Sequence, residues 1–146
     1  MTRRLLLGIP LGAWCRAADA VQEVLDLVAD AAGSLSAGDA ARFLRAFDPR
    51  MPGLARLKEN VAGLLALGDV QSLIEPLEDE GDDRRRAAQF QWTLRLQRGE
   101  AATNWVRREQ VVKIKAEKQG GKWRIVEIEP IEFFAPAAAP APAPGR

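Results

Sequence analysis

The chain has 146 residues, 47% of them hydrophobic, which suffices for one domain with a packed core. Its 21 basic and 20 acidic side chains leave a net charge of +1, so composition makes no electrostatic case for nucleic acid or an anionic membrane surface. No apolar run approaches the roughly 18 residues that a membrane-spanning helix needs.

The N-terminus reads as an export signal. Thr2-Arg3-Arg4 supplies positive charge, Leu5–Cys15 is a short apolar core, and Ala18-Asp19-Ala20 has the small-x-small pattern of a signal peptidase site. Twin-arginine and general secretory routes fit equally, and Trp14 before Cys15 is too bulky for a lipoprotein signal. The competing reading is an amphipathic or buried N-terminal helix. Cleavage after Ala20 would remove Arg3, Arg4, Arg16 and Asp19, taking 21 basic residues to 18 and 20 acidic to 19, for a mature net charge of −1. The only cysteine would go with them, leaving no disulfide, thiol nucleophile or thiolate metal site. The expected organisation is an export signal over 1–20, one domain over 21–134, and a disordered Pro/Ala-rich tail over 135–146. The expected location is periplasmic or extracellular.

Within the domain, Val21, Val24, Leu25, Val28 and Ala32 recur at helical spacing, which predicts a first helix ended by Gly33. Ser36 and Asp39 suggest a capped second helix with the stripe Ala40, Phe43, Leu44 and Phe47, stopped by Asp48-Pro49. A third helix is expected from Leu54 to Leu67, with Gly68 at its end.

Strand patterns follow. Asp69–Glu80 contains Pro76, which removes a ladder donor and places this strand at a sheet edge or gives it a bulge. Glu78–Asp83 and Arg84–Arg86 read as a solvated hairpin loop. Ala88–Arg98 alternates cleanly between apolar and polar residues, Thr103–Lys118 is a third strand, and Lys122–Phe134 a fourth. Arg98–Ala102 and Gln119-Gly120-Gly121 make the turns between them. The fold class is therefore α+β: three N-terminal helices packed on a curved antiparallel four-stranded sheet.

That element order, with Gly121-Lys122-Trp123-Arg124-Ile125-Val126 as its last hairpin and Ser36–Ala40 opening a helix after a short loop, resembles the nuclear transport factor 2-like superfamily. The resemblance covers about Val21 to Phe134. It implies a cystatin-like cone, the fold shared with polyketide cyclases and ketosteroid isomerases, enclosing an apolar cavity. It also implies frequent dimerisation through the open sheet face. One departure is that Asp48–Gly53 is too short for the small hairpin many members insert before the third helix.

The chemical inventory is restrictive, since the chain has no histidine and no tyrosine. Histidine is the usual acid–base group near neutral pH and tyrosine a common oxyanion donor, so neither a His/Asp nor a Tyr/Asp site can be placed. No catalytic residue, cofactor or metal site is assigned. The acidic cluster Glu78–Asp83 matches no calcium-loop spacing and is flanked by arginines. Arg108 and Gln110 are in phase with Val106, Val112, Ile114 and Ala116. If that face points inward, they could hold a carboxylate or carbonyl of a mostly apolar ligand. Trp92 is a third candidate for the ligand surface, although with Phe90 and Leu94 it reads first as core.

The sequence thus suggests an exported, non-catalytic binding or interaction module with a small apolar cavity. A small apolar ligand and a homodimer through the sheet face are the expected partners, with Trp105, Arg107 and Val111 on the outward phase. The alternative is a cyclase- or isomerase-type enzyme using Asp48 or Glu109 as a carboxylate base.

Overall fold

The computed structural model describes residues 11–97 and 105–136. The start of the expected export signal, the turn after Arg98 and the tail from residue 137 lie outside the described residues. Helices α1 (Leu11–Ser36), α2 (Ala40–Leu44) and α3 (Leu54–Leu67) precede strands β1 (Val70–Gly81), β2 (Arg85–Gln97), β3 (Trp105–Gln119) and β4 (Lys122–Glu129). A 3-10 turn, Ile131–Phe134, follows a cis Glu129–Pro130 peptide. The strands form one antiparallel sheet in the order β1-β2-β3-β4.

α1 buries Ala20, Val24, Val28, Ala31, Ala32 and Leu35, one stripe at helical spacing, while Val21 is exposed. The helix is continuous from Leu11 through Ala18-Asp19-Ala20, and Ala20 belongs to the core. Gly33 does not end it, because its backbone stays helical. Termination comes at Gly38, whose φ of 73° lets its N–H reach the Leu35 carbonyl and the Asp39 N–H reach that of Ser34. Ser36 is therefore the last residue of α1 rather than a cap for α2. Its hydroxyl accepts the Ser72 N–H at 2.9 Å, tying α1 to β1. Asp39 caps α2 instead, accepting from the Arg42 N–H. α2 stops at Leu44, short of Asp48-Pro49, because Phe47 leaves the helix to bridge Ile125 of β4. The Ile125 N–H donates to Ala46 and the Asp48 N–H to Ile125, fastening this segment to the sheet.

β2 is the central ruler. Arg86, Ala88, Phe90, Trp92, Leu94 and Leu96 all point inward and are buried. β1 is an edge strand with a bulge at Leu77, next to Pro76, so both consequences expected of that proline occur. A second bulge lies at Val126 of β4. β3 pairs with β2 in unbroken register from Gln97–Trp105 to Arg85–Glu117, so its phase is constant. The fourth strand is shorter than its alternation suggests. Pro130 cannot donate to a ladder, and Ile131–Phe134 turns back over α3. The hairpin loop is also tighter than expected, because the strands continue to Gly81 and from Arg85. Asp82 closes the turn by accepting the Arg84 and Arg85 N–H groups at 2.8 Å.

The core lies between the helices and the inner sheet face. Its centre is aromatic: Phe134 contacts Trp92 at 5.1 Å, Phe133 at 5.2 Å and Phe43 at 5.7 Å between ring centroids. Trp92 is completely buried, and its indole N–H donates to Ser72 Oγ at 2.9 Å. Ser72→Ala should leave that N–H unsatisfied and lower the unfolding free energy by about 1–3 kcal/mol. Urea denaturation measures this, and an unchanged midpoint would show that the bond contributes nothing.

Candidate functional site

Constant register along β3 places Val106, Arg108 and Gln110 on the inner phase, continuous with buried Val112, Ile114 and Ala116. Burial fades toward this end of the strand: Arg108 is half-buried, and Gln110 and Val106 are exposed. These residues therefore mark where the inner face of the sheet meets solvent. Across the ladder, Arg108 faces Leu94 and Gln110 faces Trp92. The three residues singled out from the sequence are thus neighbours on one inner surface, with Trp92 at its buried end.

The guanidinium of Arg108 is engaged by the chain itself. Its Nη1 donates to the carbonyls of Phe133 and Ala135, at 2.7 Å each. The segment Ile131–Pro136 is held from its other side by α3. Asn60 Nδ2 donates to the Ile131 carbonyl at 3.2 Å, and Arg56 pairs with Glu132 at 3.0 Å. This strap, whose Phe134 ring enters the aromatic centre, was not legible as such in the sequence. The available signal was Pro130, which breaks a run that otherwise alternates like a strand.

The two carboxylates considered as bases are placed differently. Glu109 is on the outer sheet face, exposed, beside Arg107 and Thr93. Asp48 is the only buried carboxylate among the described residues. It lies at the other end of β3, where Oδ1 accepts the Arg50 N–H at 2.8 Å and Oδ2 accepts from Gln119 at 2.8 Å. The Arg50 N–H foremost, then the Gln119 amide, hold its carboxyl below the usual aspartate range. This is a structural carboxylate that stays ionised. A further buried ionic group is Arg86, whose Nε meets Asp79 at 2.7 Å and whose Nη1 donates to the Asp82 carbonyl at 2.8 Å. Arg86 belongs to the expected solvated loop, but its phase with Ala88, Phe90 and Trp92 is the signal that puts it inside.

The outer sheet face carries a shallow cleft of about 420 Å³ at the level of Ala87 and Gln89, with Lys113 and Lys115 along its middle. Glu78 and Glu80 flank it from β1, Glu127 and Glu129 from β4. Lys115 pairs with Glu127 at 3.5 Å. Trp105 lies on the same face under the Arg95 guanidinium, 5.1 Å from the ring centre. Among the described residues no group of three or more His, Cys, Asp or Glu side chains is placed to hold a metal ion. No described helix is long and apolar enough to cross a membrane.

The arrangement of three helices on this sheet matches many solved structures. A nuclear transport factor 2-like protein with a cystatin-like fold from Novosphingobium aromaticivorans superposes with a TM-score of 0.63 at 15% identity, over 81% of this chain and 84% of that one. The chain has the nuclear transport factor 2-like, cystatin-like fold. A superfamily protein from Salmonella enterica serovar Typhimurium gives a TM-score of 0.62 at 16% identity, over 84% of this chain and 95% of that one. A candidate scytalone dehydratase from Novosphingobium aromaticivorans gives 0.63 at 9% identity, over 74% and 80%. The sequence matches no protein-family model and no curated protein. The same fold thus includes both a protein named for an enzyme and others named for the fold alone.

The contacts of Asp48 have a pH consequence. Its folded pKa lies below the unfolded value of about 3.9, so the stabilisation is present above that value and is lost as pH falls through the folded one. Asp48→Asn should be less stable than the parent at neutral pH. The gap should narrow on acidification below about pH 4, which denaturation at stepped pH measures. A gap independent of pH would show that charge at Asp48 is not what stabilises.

Proposed function

We propose that the chain is an exported, non-catalytic binding module whose cone takes a small apolar ligand and whose outer sheet face pairs two copies. The observation that supports it most is the state of Asp48. The one buried carboxylate of the described residues is held ionised by local donors, whereas a carboxylate base would need a raised pKa in an apolar site. The cyclase or isomerase alternative would then rest on Glu109, which faces outward. The ligand site favoured by the geometry is the inner sheet face around Arg108 and Gln110, with Trp92 behind it.

The pairing of two copies is supported by the charge pattern of the outer face. β1 presents Glu75, Glu78 and Glu80, and β3 presents Arg107, Lys113 and Lys115 interspersed with Glu109 and Glu117. A two-fold axis would set the acidic strand of one copy against the basic strand of the other. Leu73, Leu77 and Val111 are exposed large hydrophobic side chains on this face. Export rests on the charged start, apolar core and Ala18-Asp19-Ala20 motif of the N-terminus, while the continuous α1 and the buried Ala20 favour the competing reading of a packed N-terminal helix.

Native mass spectrometry of protein from an exporting host tests these elements together. The expected species is a dimer of chains beginning at Val21 with a reproducible small adduct. An unprocessed chain would overturn export, a monomer the pairing, and a bare protein with no adduct the ligand-binding role. Val111→Glu should convert the dimer to a monomer in sedimentation velocity without loss of helical circular dichroism. A persistent dimer would place the interface elsewhere.

A further inference from the structure

We infer that the strap Ile131–Pro136 is a built-in competitor for the ligand, and that the ligand class it imitates is an aromatic carboxylate. This rests on the ligand-binding reading above and adds both chemistry and regulation to it. Two features of the strap coincide in space. Phe134 places a flat apolar ring against Trp92 and Phe43 in the cone centre. Beside it, the carbonyl oxygens of Phe133 and Ala135 both lie 2.7 Å from Nη1 of Arg108. The two carbonyls share one nitrogen, Nη1, rather than forking across two, but the combination of an aromatic ring with oxygen acceptors for one guanidinium is what an aryl-carboxylic acid would offer. A carboxylate would bind Arg108 more strongly than neutral carbonyls do, because it adds charge–charge attraction and can span the guanidinium fork with two oxygens.

The strap is also built to leave without disturbing the sheet. β4 ends at Glu129, paired with Lys113, and Pro130 then interrupts the ladder. The strap's backbone N–H groups bond locally, Phe133 to Pro130 and Ala135 to Glu132. Side chains of other elements hold it from outside: Arg108, Asn60 and, through Glu132, Arg56. Displacing it breaks those contacts and withdraws two buried rings, Phe133 and Phe134, from the core, but breaks no strand pairing. A ligand that competes with the strap binds with an apparent affinity reduced by the fraction of molecules in which the strap is open. Weakening the strap should therefore tighten ligand binding, the reverse of what a mutation in an ordinary ligand wall does.

The test uses full-length protein, 2-naphthoate as probe and 2-naphthalenemethanol as its neutral counterpart. Phe134→Ala should bind 2-naphthoate at least about tenfold more tightly than the parent by calorimetry. Adding Arg108→Gln to that variant should reverse the gain for the acid but not for the alcohol. In the parent, 4-fluorophenylalanine at position 134 should show a fluorine resonance that moves toward the solvent-exposed position as naphthoate is added. This measurement stands even if Phe134→Ala does not fold, and Phe134→Leu gives a milder second variant.

If the parent binds naphthoate and its fluorine signal does not move, the strap is not a competitor, although the binding reading survives. If neither parent nor variant binds naphthoate while the native adduct persists, the ligand class is wrong. If neither binds and no adduct is found, the binding reading falls as well.

Discussion

The inward face of β2 is the constraint on which the rest of the molecule depends. Six consecutive inward positions, Arg86 to Leu96, are buried, and β2 pairs along its length with both β1 and β3. A one-residue slip of this strand would turn Trp92 and Phe90 to solvent and bring Gln91 and Thr93 into the core, so the register is strongly specified. Trp92 adds a polar lock. Its indole N–H requires an acceptor, Ser72 supplies it, and the Ser72 backbone N–H is satisfied by Ser36. One buried hydrogen-bond relay thus aligns the central strand, the edge strand and the end of the long helix.

Around that strand the sheet is bent by specific local irregularities. Bulges at Leu77 and Val126 lie on the two outer strands, while the β2–β3 pair between them is regular. Regularity at the centre keeps Arg108 on the inner phase, where burial fades toward Val106 and Gln110. The pair of buried Arg86 with Asp79 exists for the same reason: the Leu77 bulge shifts the phase of β1 so that Asp79 turns inward opposite Ala88, within reach of Arg86.

The polar groups of the interior are engaged in holding elements together. Arg108 binds the strap, Asp48 binds Arg50 and Gln119, and Trp123 donates to Glu23 across from β4 to α1. Every buried side-chain nitrogen and oxygen among the described residues has a hydrogen-bond partner. The ionisable groups of this interior thus have partners matched to their charged forms.

Much of this was legible from local pattern. The third helix, the edge character of the Pro76 strand and the alternation of β2 follow from period, proline and glycine chemistry within a few residues, whereas the inward phase of Arg108 needed the unbroken β2–β3 register. Helix ends were less legible. Gly33 carries no mark distinguishing it from a terminating glycine, and only packing of Leu35 and the Ser36–Ser72 contact carries α1 past it. By itself the sequence determined the element types, the fold class and the absence of histidine and tyrosine chemistry, since these depend on composition and near neighbours. Only the tertiary structure decided that Gln119, 71 residues away, donates to Asp48 beside the local Arg50 N–H, and that Arg108 grips a strap 25 residues further along the chain. Those contacts join segments that no local period links, and they form only once the sheet has curved and the chain has turned at Pro130.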